Sequence, residues 1–334
     1  MATPLLSSSN TAFTTVRFIR YRERGANAPA RVGALLPLDG NTVFDVVHDD
    51  GGSTAAGSPT SSRPQSLSRA LEAYHADPKS VTFAASTFGL GDVEVLAPFD
   101  DATAASGVHN KIVCVGKNYF EHVGEVDSSM PGISRDAVPE LPIIFPKAGT
   151  SVVAYGQDIR THGRLDVDYE GELACVIGAT CFGAGTRALE SMSEEEILEK
   201  YVVGWTVAND VTARTLQKQH QQWYLGKSCD THCPCGPWIV AGSALPLGGA
   251  AELVTYVNGE ERQRAKISDM IFSVATLIST ISQYQTLYAG DLILTGTPKG
   301  VGAGQKPSAL FLKSGDVVDI DIEGVGRLSN GVAS

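Results

Sequence analysis

Apolar and polar positions alternate over Val16-Arg17-Phe18-Ile19-Arg20-Tyr21, the pattern of a strand with one covered face. Residues 15 to 48 continue as short strands, with turns at Gly25 and at Asp39-Gly40-Asn41. Gly51 to Pro64 is rich in Gly, Ser, Thr, Ala and Pro and reads as a loop. Leu67, Ala70, Leu71 and Tyr74 then recur at helical spacing and predict a helix over Ser66 to His75. Val93 to Pro98 returns to strand. This pattern predicts a small β-rich N-terminal domain over residues 1–105 and a larger domain over 106–334.

The second domain reads as strand-dominated. Strands are expected at Ile112 to Val115, Leu173 to Ile177, Val202 to Val207, Trp238 to Val240, Leu253 to Val257, Leu292 to Leu294 and Val317 to Ile322. Helices are expected over Ser193 to Lys200, Thr212 to Gln221 and Val274 to Tyr284. Strands and helices do not alternate, so the fold class is α+β, a mixed β-roll or β-sandwich rather than a doubly wound sheet. No internal repeat, P-loop or dinucleotide fingerprint is present.

Composition narrows the function classes. The 334 residues are 43% hydrophobic and 19% charged, which disfavours both disorder and a membrane class. A net charge of -11 argues against a nucleic-acid partner. No apolar run approaches bilayer length, and Met1 to Phe13 lacks a basic start and a cleavage site. Arg17, Arg20, Arg22 and Arg24 would suit a transit peptide, but they fall in the alternating strand; the expected compartment is the cytoplasm, with an organelle as the alternative. Cys229, His232, Cys233 and Cys235 invite a zinc reading. Their spacing is too tight for a normal pair of ligand pairs, so reduced thiols are expected.

The segment Asp166-Val167-Asp168-Tyr169-Glu170-Gly171-Glu172 opens an apolar run and carries the main chemical signal. Strand alternation points Glu170 and Glu172 the same way, with Gly171 leaving room between them. At roughly 6 Å and an effective dielectric near ~20 their repulsion is about 3 kcal/mol, which calls for a compensating hard cation. Asp210 ends the strand before the second helix, where Asp210 or Thr212 suits an N-cap; Arg214 and Gln217 follow at i+4 and i+7. Taken alone, that trio also fits a surface salt bridge. Asn118 and Glu121 resemble a capping box, and His122 with Glu125 falls at i, i+3. A carboxylate beside an imidazole orients the ring and strengthens it as a base. The polar stretch Asp127 to Pro142 suits a lid. Lys227 follows Trp223 and Tyr224, and the Gly/Thr loop from Leu294 to Gly302 has amides and hydroxyls suited to a carboxylate.

Together the segments VGKNYFEHVGE, PIIFPK, DYEGELACVIG, VANDVTARTLQ, WYLGKSCDTHCPCGPWIV, VNGE, DMIF and GDLILTGTPKGVG resemble the fumarylacetoacetate hydrolase family, in the family's order, over roughly residues 110 to 325. The resemblance implies a catalytic domain of that type over 106–334, and a homodimer. It implies that Glu170, Glu172 and Asp210 bind Mg2+ or Mn2+ and that His122, paired with Glu125, is the base. Lys227 would stabilise developing negative charge, helped by Arg214 and Gln217, and Thr297 would hold a substrate carboxylate. Thr215 departs from the family, where many members carry Asp, and puts the bonding around that position in question.

The expected activity is Mg2+-dependent hydrolysis of a carbon–carbon bond in an acylpyruvate-like or other β-dicarbonyl 2-oxo acid, through a metal-bound enolate. An oxaloacetate decarboxylase and a 2-oxo acid tautomerase or isomerase are the alternatives on the same residues. A non-catalytic metal-binding interaction protein and a zinc-stabilised module are the alternatives of other classes.

Overall fold

The structure, a computed structural model, describes residues 16–25, 31–35, 42–48, 67–78, 81–89, 93–98, 110–123, 125, 138–182, 189–220 and 222–334. The expected loop over 51–64, the turn at 39–41, the chain start and most of the expected lid lie outside these residues.

The N-terminal strands are β1 (Arg17–Glu23), β2 (Arg31–Leu35), β3 (Thr42–His48), β4 (Val81–Gly89) and β5 (Val93–Leu96), with helix α1 (Leu67–Ala76). The chain continues through β6 (Ile112–Gly116), α2 (Phe120–Val123), β7 (Ile143–Lys147), β8 (Val152–Val153), β9 (Ile159–Arg160) and β10 (Val167–Asp168). Next come β11 (Gly171–Ile177), α3 (Glu194–Tyr201), β12 (Val202–Asn209), β13 (Thr212–Ala213), α4 (Arg214–Gln219) and α5 (Tyr224–Lys227). Last are β14 (Cys233–Ala241), β15 (Glu252–Val257), β16 (Glu260–Lys266), α6 (Val274–Ser282), β17 (Leu292–Leu294), β18 (Val317–Ile322) and β19 (Gly326–Ala333).

A twelve-stranded mixed sheet has the order β4-β3-β2-β1-β14-β12-β11-β17-β6-β7, with β5 on β1 and β8 on β14. A second sheet runs β16-β15-β18-β19-β9, and β10 pairs with β13. The α+β, strand-dominated class read from the sequence is the fold observed. Because β1 pairs with β14, the N-terminal strands extend the same sheet that carries the later ones.

Every residue of β11 and β12 is buried, which explains their near-continuous apolar runs. The pleat divides β11 between two cores. Leu173, Cys175 and Ile177 join the larger cluster, which includes Leu253, Ile320 and residues of α6, whereas Ala174 and Val176 join a second with Phe18, Leu71 and Leu292. Glu172 belongs to the second face and comes before its apolar residues. Gly171 lies on the other face, where an added Cβ would stand 2.2 Å from Thr255 Oγ1. Glycine at this position admits the second sheet; it is not a spacer between glutamates.

Helix α3 is set by a capping box, Ser193 with Glu196, and α6 presents Val274, Leu277, Ile278 and Ile281 to the core from a Ser273 cap. Two expected caps are corrected. Helix α4 starts at Arg214 on Ala213 with no side-chain cap, and Thr212 is in a strand, because the Asp210 carboxylate is drawn to lysines instead. Asn118 caps no helix: it donates to Phe272 O and Thr295 O and accepts from Phe272 N, tying the end of β6 to two neighbouring segments. Among the described residues no helix is long and apolar enough to cross a membrane.

Candidate active site

The site forms where β11 begins and where β12, β17 and β6 end. The β11–β12 register sets Gly171 opposite Asn209, and Asp210 N donates to Glu170 O at 2.8 Å. Glu170 and Asp210 thus meet across one strand pair although forty residues apart. One oxygen each from Glu170, Glu172 and Asp210 lies within 4.8 Å of the others, and all three side chains are buried. Among the described residues this is the only group of acids, histidines or cysteines arranged to hold a metal ion. The cysteines are free, and the zinc reading has no geometric support. Burial pushes the thiols of Cys114 and Cys175 up, and at Cys235 the hydrogen bond with the Cys233 thiol, then burial, does the same.

Three basic side chains surround the acids. Lys227 Nζ donates to Glu170 Oε2 and to Asp210 Oδ2, each at 2.6 Å. Lys147 Nζ donates to Asp210 Oδ1 at 2.7 Å and to Val211 O at 3.1 Å. Arg214 donates through Nε to Asp168 Oδ2 at 2.8 Å; its Nη2 stands 2.7 Å from both Asp168 and Glu170, ion contacts whose angles fall short of hydrogen bonds. Helix α5 delivers Lys227 beside Phe145, whose ring centroid is 5.2 Å from Nζ and which packs edge-on against Trp223.

These charges pull the carboxylates apart electrostatically. Burial pushes Glu170 up, but Lys227, Arg214 and His122 outweigh it and hold the group down to about 2. Burial, then the like charges of Asp210 and Glu170, push Glu172 well above the usual carboxylate range, against Lys227 and the Gly296 amide. Burial would lower Lys227, yet Asp210 and Glu170 raise it, so it stays an ammonium. With Asp168 and Glu125, the site gathers five carboxyl groups around Lys147, Arg214, Lys227 and the His122 imidazole. Three clustered carboxylates and no thiolate are the donor set a hard divalent cation takes, but Lys227 Nζ bridges Glu170 and Asp210 here and would have to shift aside for one.

His122 is buried on α2, and its Nδ1 lies 2.9 Å from Glu125 Oε2. Glu125 Oε1 in turn accepts from Gly300 N at 2.7 Å. Gln217 accepts from Arg214 Nη1 at 3.2 Å, so the expected neighbours on α4 are joined. Thr297 is buried, and its hydroxyl donates to Gly171 O at 3.0 Å while accepting from Gln263 Nε2 at 2.7 Å. A carboxylate at Thr297 needs that hydroxyl turned away from Gly171. Thr215 meets Asp166 through both its hydroxyl and its main-chain N, which donates to Asp166 Oδ2; an ionised Asp at this position would keep the second contact but not the first.

Two residues that sequence reasoning passed over complete the arrangement. Lys147 closes the apolar run Ile143-Ile144-Phe145-Pro146 and is fully buried; a lysine ending a core strand was the available signal. Asp168 alternates with Glu170 and Glu172, and that two-residue spacing was its signal.

A family model described as fumarylacetoacetate (FAA) hydrolase C-terminal matches residues 111–333. The oxaloacetate tautomerase YisK of Bacillus subtilis is 42% identical over 245 residues, 73% of this chain and 74% of the relative. The human mitochondrial oxaloacetate tautomerase FAHD2B is 34% identical over 322 residues, 95% of this chain and 91% of that one. Among solved structures, a fumarylacetoacetate hydrolase from Exiguobacterium antarcticum superposes with a TM-score of 0.68 at 33% identity, covering 96% of this chain and 99% of the other.

Proposed function

The chain belongs to the fumarylacetoacetate hydrolase family, and from that premise we propose that it is a divalent-cation-dependent tautomerase of a small oxaloacetate-like 2-oxo acid. The observation that carries the reading is the His122–Glu125 pair, with His122 close enough to the buried triad of carboxylates for its charge to act on Glu170. Similarity to two oxaloacetate tautomerases, one of them along 95% of this chain, supports proton relocation as the reaction.

Glu170, Glu172 and Asp210 would hold Mg2+ or Mn2+. When bound, the ion supplies Lewis-acid polarisation of the substrate's carbonyl and carboxylate oxygens. With Glu125 accepting from Nδ1–H, the His122 lone pair stands on Nε2, the atom that takes the enol proton or returns one at carbon. Lys227, kept cationic by its neighbours, offsets negative charge on the substrate oxygen. Arg214 and Gln217 orient one another at the side of Glu170, and Thr297 would reach a substrate carboxylate once its hydroxyl turns from Gly171 O.

The test follows the optical decay of enol-oxaloacetate with Mn2+ while pyruvate is assayed in parallel. Enol loss without pyruvate is expected, and His122→Ala should slow it about 100-fold or more. Unchanged decay in His122→Ala would assign the site a non-catalytic role.

A second reading is carbon–carbon hydrolysis, favoured by the likeness to a fumarylacetoacetate hydrolase structure. The same imidazole then activates water. Cleavage of acetylpyruvate faster than enol conversion would select this reading; pyruvate from oxaloacetate would select decarboxylation.

A further inference from the structure

The loop after β17 brings main-chain amides to three separate carboxylates. Gly296 N donates to Glu172 Oε2 at 2.7 Å, and Gly300 N to Glu125 Oε1 at 2.7 Å. Gly302 N and Ala303 N both donate to Asp168, at 2.6 and 2.9 Å. One short stretch of backbone therefore holds a member of the acidic cage, the partner of the imidazole, and a third acid that belongs to neither. The approach is close: a Cβ on Gly304 would lie 2.2 Å from Glu125 Cγ.

Asp168 joins that loop to the cage. It is fully buried and also accepts from Tyr169 N at 2.9 Å and Arg214 Nε at 2.8 Å. Arg214 in turn touches Glu170 at 2.7 Å. Gly300 is pinned as well, its carbonyl accepting from Tyr169 Oη and Gln305 Nε2, each at 2.9 Å. A counter-ion for Arg214 alone would not need two loop amides. An ion contact and a chain of hydrogen bonds instead form a continuous path from Glu170 through Arg214, Asp168 and the loop to Glu125 and His122.

We infer that Asp168 is a positioning residue: by clamping Gly302 and Ala303 against Arg214, it keeps the His122–Glu125 pair in register with the acidic cage. The inference rests on the tautomerase reading for its kinetic consequence. Misplacing a proton-transfer group by about 1 Å costs on the order of 100-fold in rate. Cage affinity and loop register are separate properties, so the two effects can be told apart.

The experiment compares the full chain with Asp168→Asn, which keeps the volume but turns one oxygen into a donor facing Ala303 N–H and Arg214. The expected result is a kcat for enol-oxaloacetate lowered about 100-fold, with KM and the Mn2+ dissociation constant moving less than about threefold. Amide hydrogen exchange supplies the second readout. Mn2+ should protect β11, loop 296–304 and α2 in the parent chain, but β11 alone in Asp168→Asn. Unchanged kcat, or activity lost in step with Mn2+ affinity, overturns the inference. If the parent chain converts no 2-oxo acid, the tautomerase reading fails while exchange still decides: equal protection in both chains overturns the clamp, and protection of α2 lost in the variant supports it. Should Asp168→Asn fail to fold, Ala303→Pro removes one clamp donor and leaves Asp168 with Arg214. A fall in its kcat at constant KM supports the inference, and an unchanged kcat overturns it.

Discussion

Two regions of this molecule use the same residue types to opposite ends. On the outer sheet, Arg264 spans Glu252 and Glu261 with all three side chains at least a third exposed. At the start of β11, Lys227 spans Glu170 and Asp210 with all three nearly sealed from solvent. Water screens the first cluster, so each member is replaceable. In the second, every charge depends on its neighbours, and removing one leaves another buried without compensation. A carboxylate's chemistry here is therefore set by burial and company more than by residue type.

The comparison breaks most sharply at Lys147. Lys147→Met strips one oxygen of buried Asp210 of its ammonium, and a loss of about 3–5 kcal/mol in urea unfolding is expected. A loss no greater than that of a surface variant would refute the distinction between the regions. Glu172→Gln sharpens it by splitting two properties of one site. Mn2+ affinity measured by calorimetry should fall about 100-fold or more. Cation-free stability should instead rise by on the order of 1 kcal/mol, because a carboxylate crowded by burial, Asp210 and Glu170 has been neutralised.

The pH response carries the same sign logic. Glu170, raised by burial but held down to about 2 by Lys227, Arg214 and His122, adds stability above the ordinary 4.5 that is lost as pH falls toward 2. Glu172 is shifted upward, so its contribution is present below 4.5 and lost as pH rises through its raised value. The stability gap between Glu172→Gln and the parent, measured without cation, should therefore be wide at neutral pH and close toward 4.5. At the small end, Arg264→Ala should shift the thermal midpoint too little to resolve, and less in high salt.

The elements most legible beforehand were those whose pattern is local. Helix α3 announces itself through Ser193 and Glu196, and β17 and β18 were read to the residue. Misreadings fell where a polar side chain has a distant partner. Asp210 reads as a cap until Lys147 and Lys227, both remote in sequence, arrive at its two oxygens. Asn118 reads as a cap until Phe272 and Thr295 appear beside it. Gly171 reads as a spacer until β15 packs against its backbone.

Alternation along β11, the i, i+3 placement of His122 and Glu125, and the order of the polar segments are properties of the chain itself. Alternation fixes the strand-rich class, and the resemblance of the ordered segments to one family supplies the family and most of the candidate residues, Lys147 and Asp168 excepted. Only folding decided which lysine met which carboxylate, that Asp168 would clamp a loop more than a hundred residues away, and that one glutamate would be driven down while its neighbour was driven up. Those outcomes depend on distances across strands and on the exclusion of water, and neither is encoded by any window of neighbouring residues.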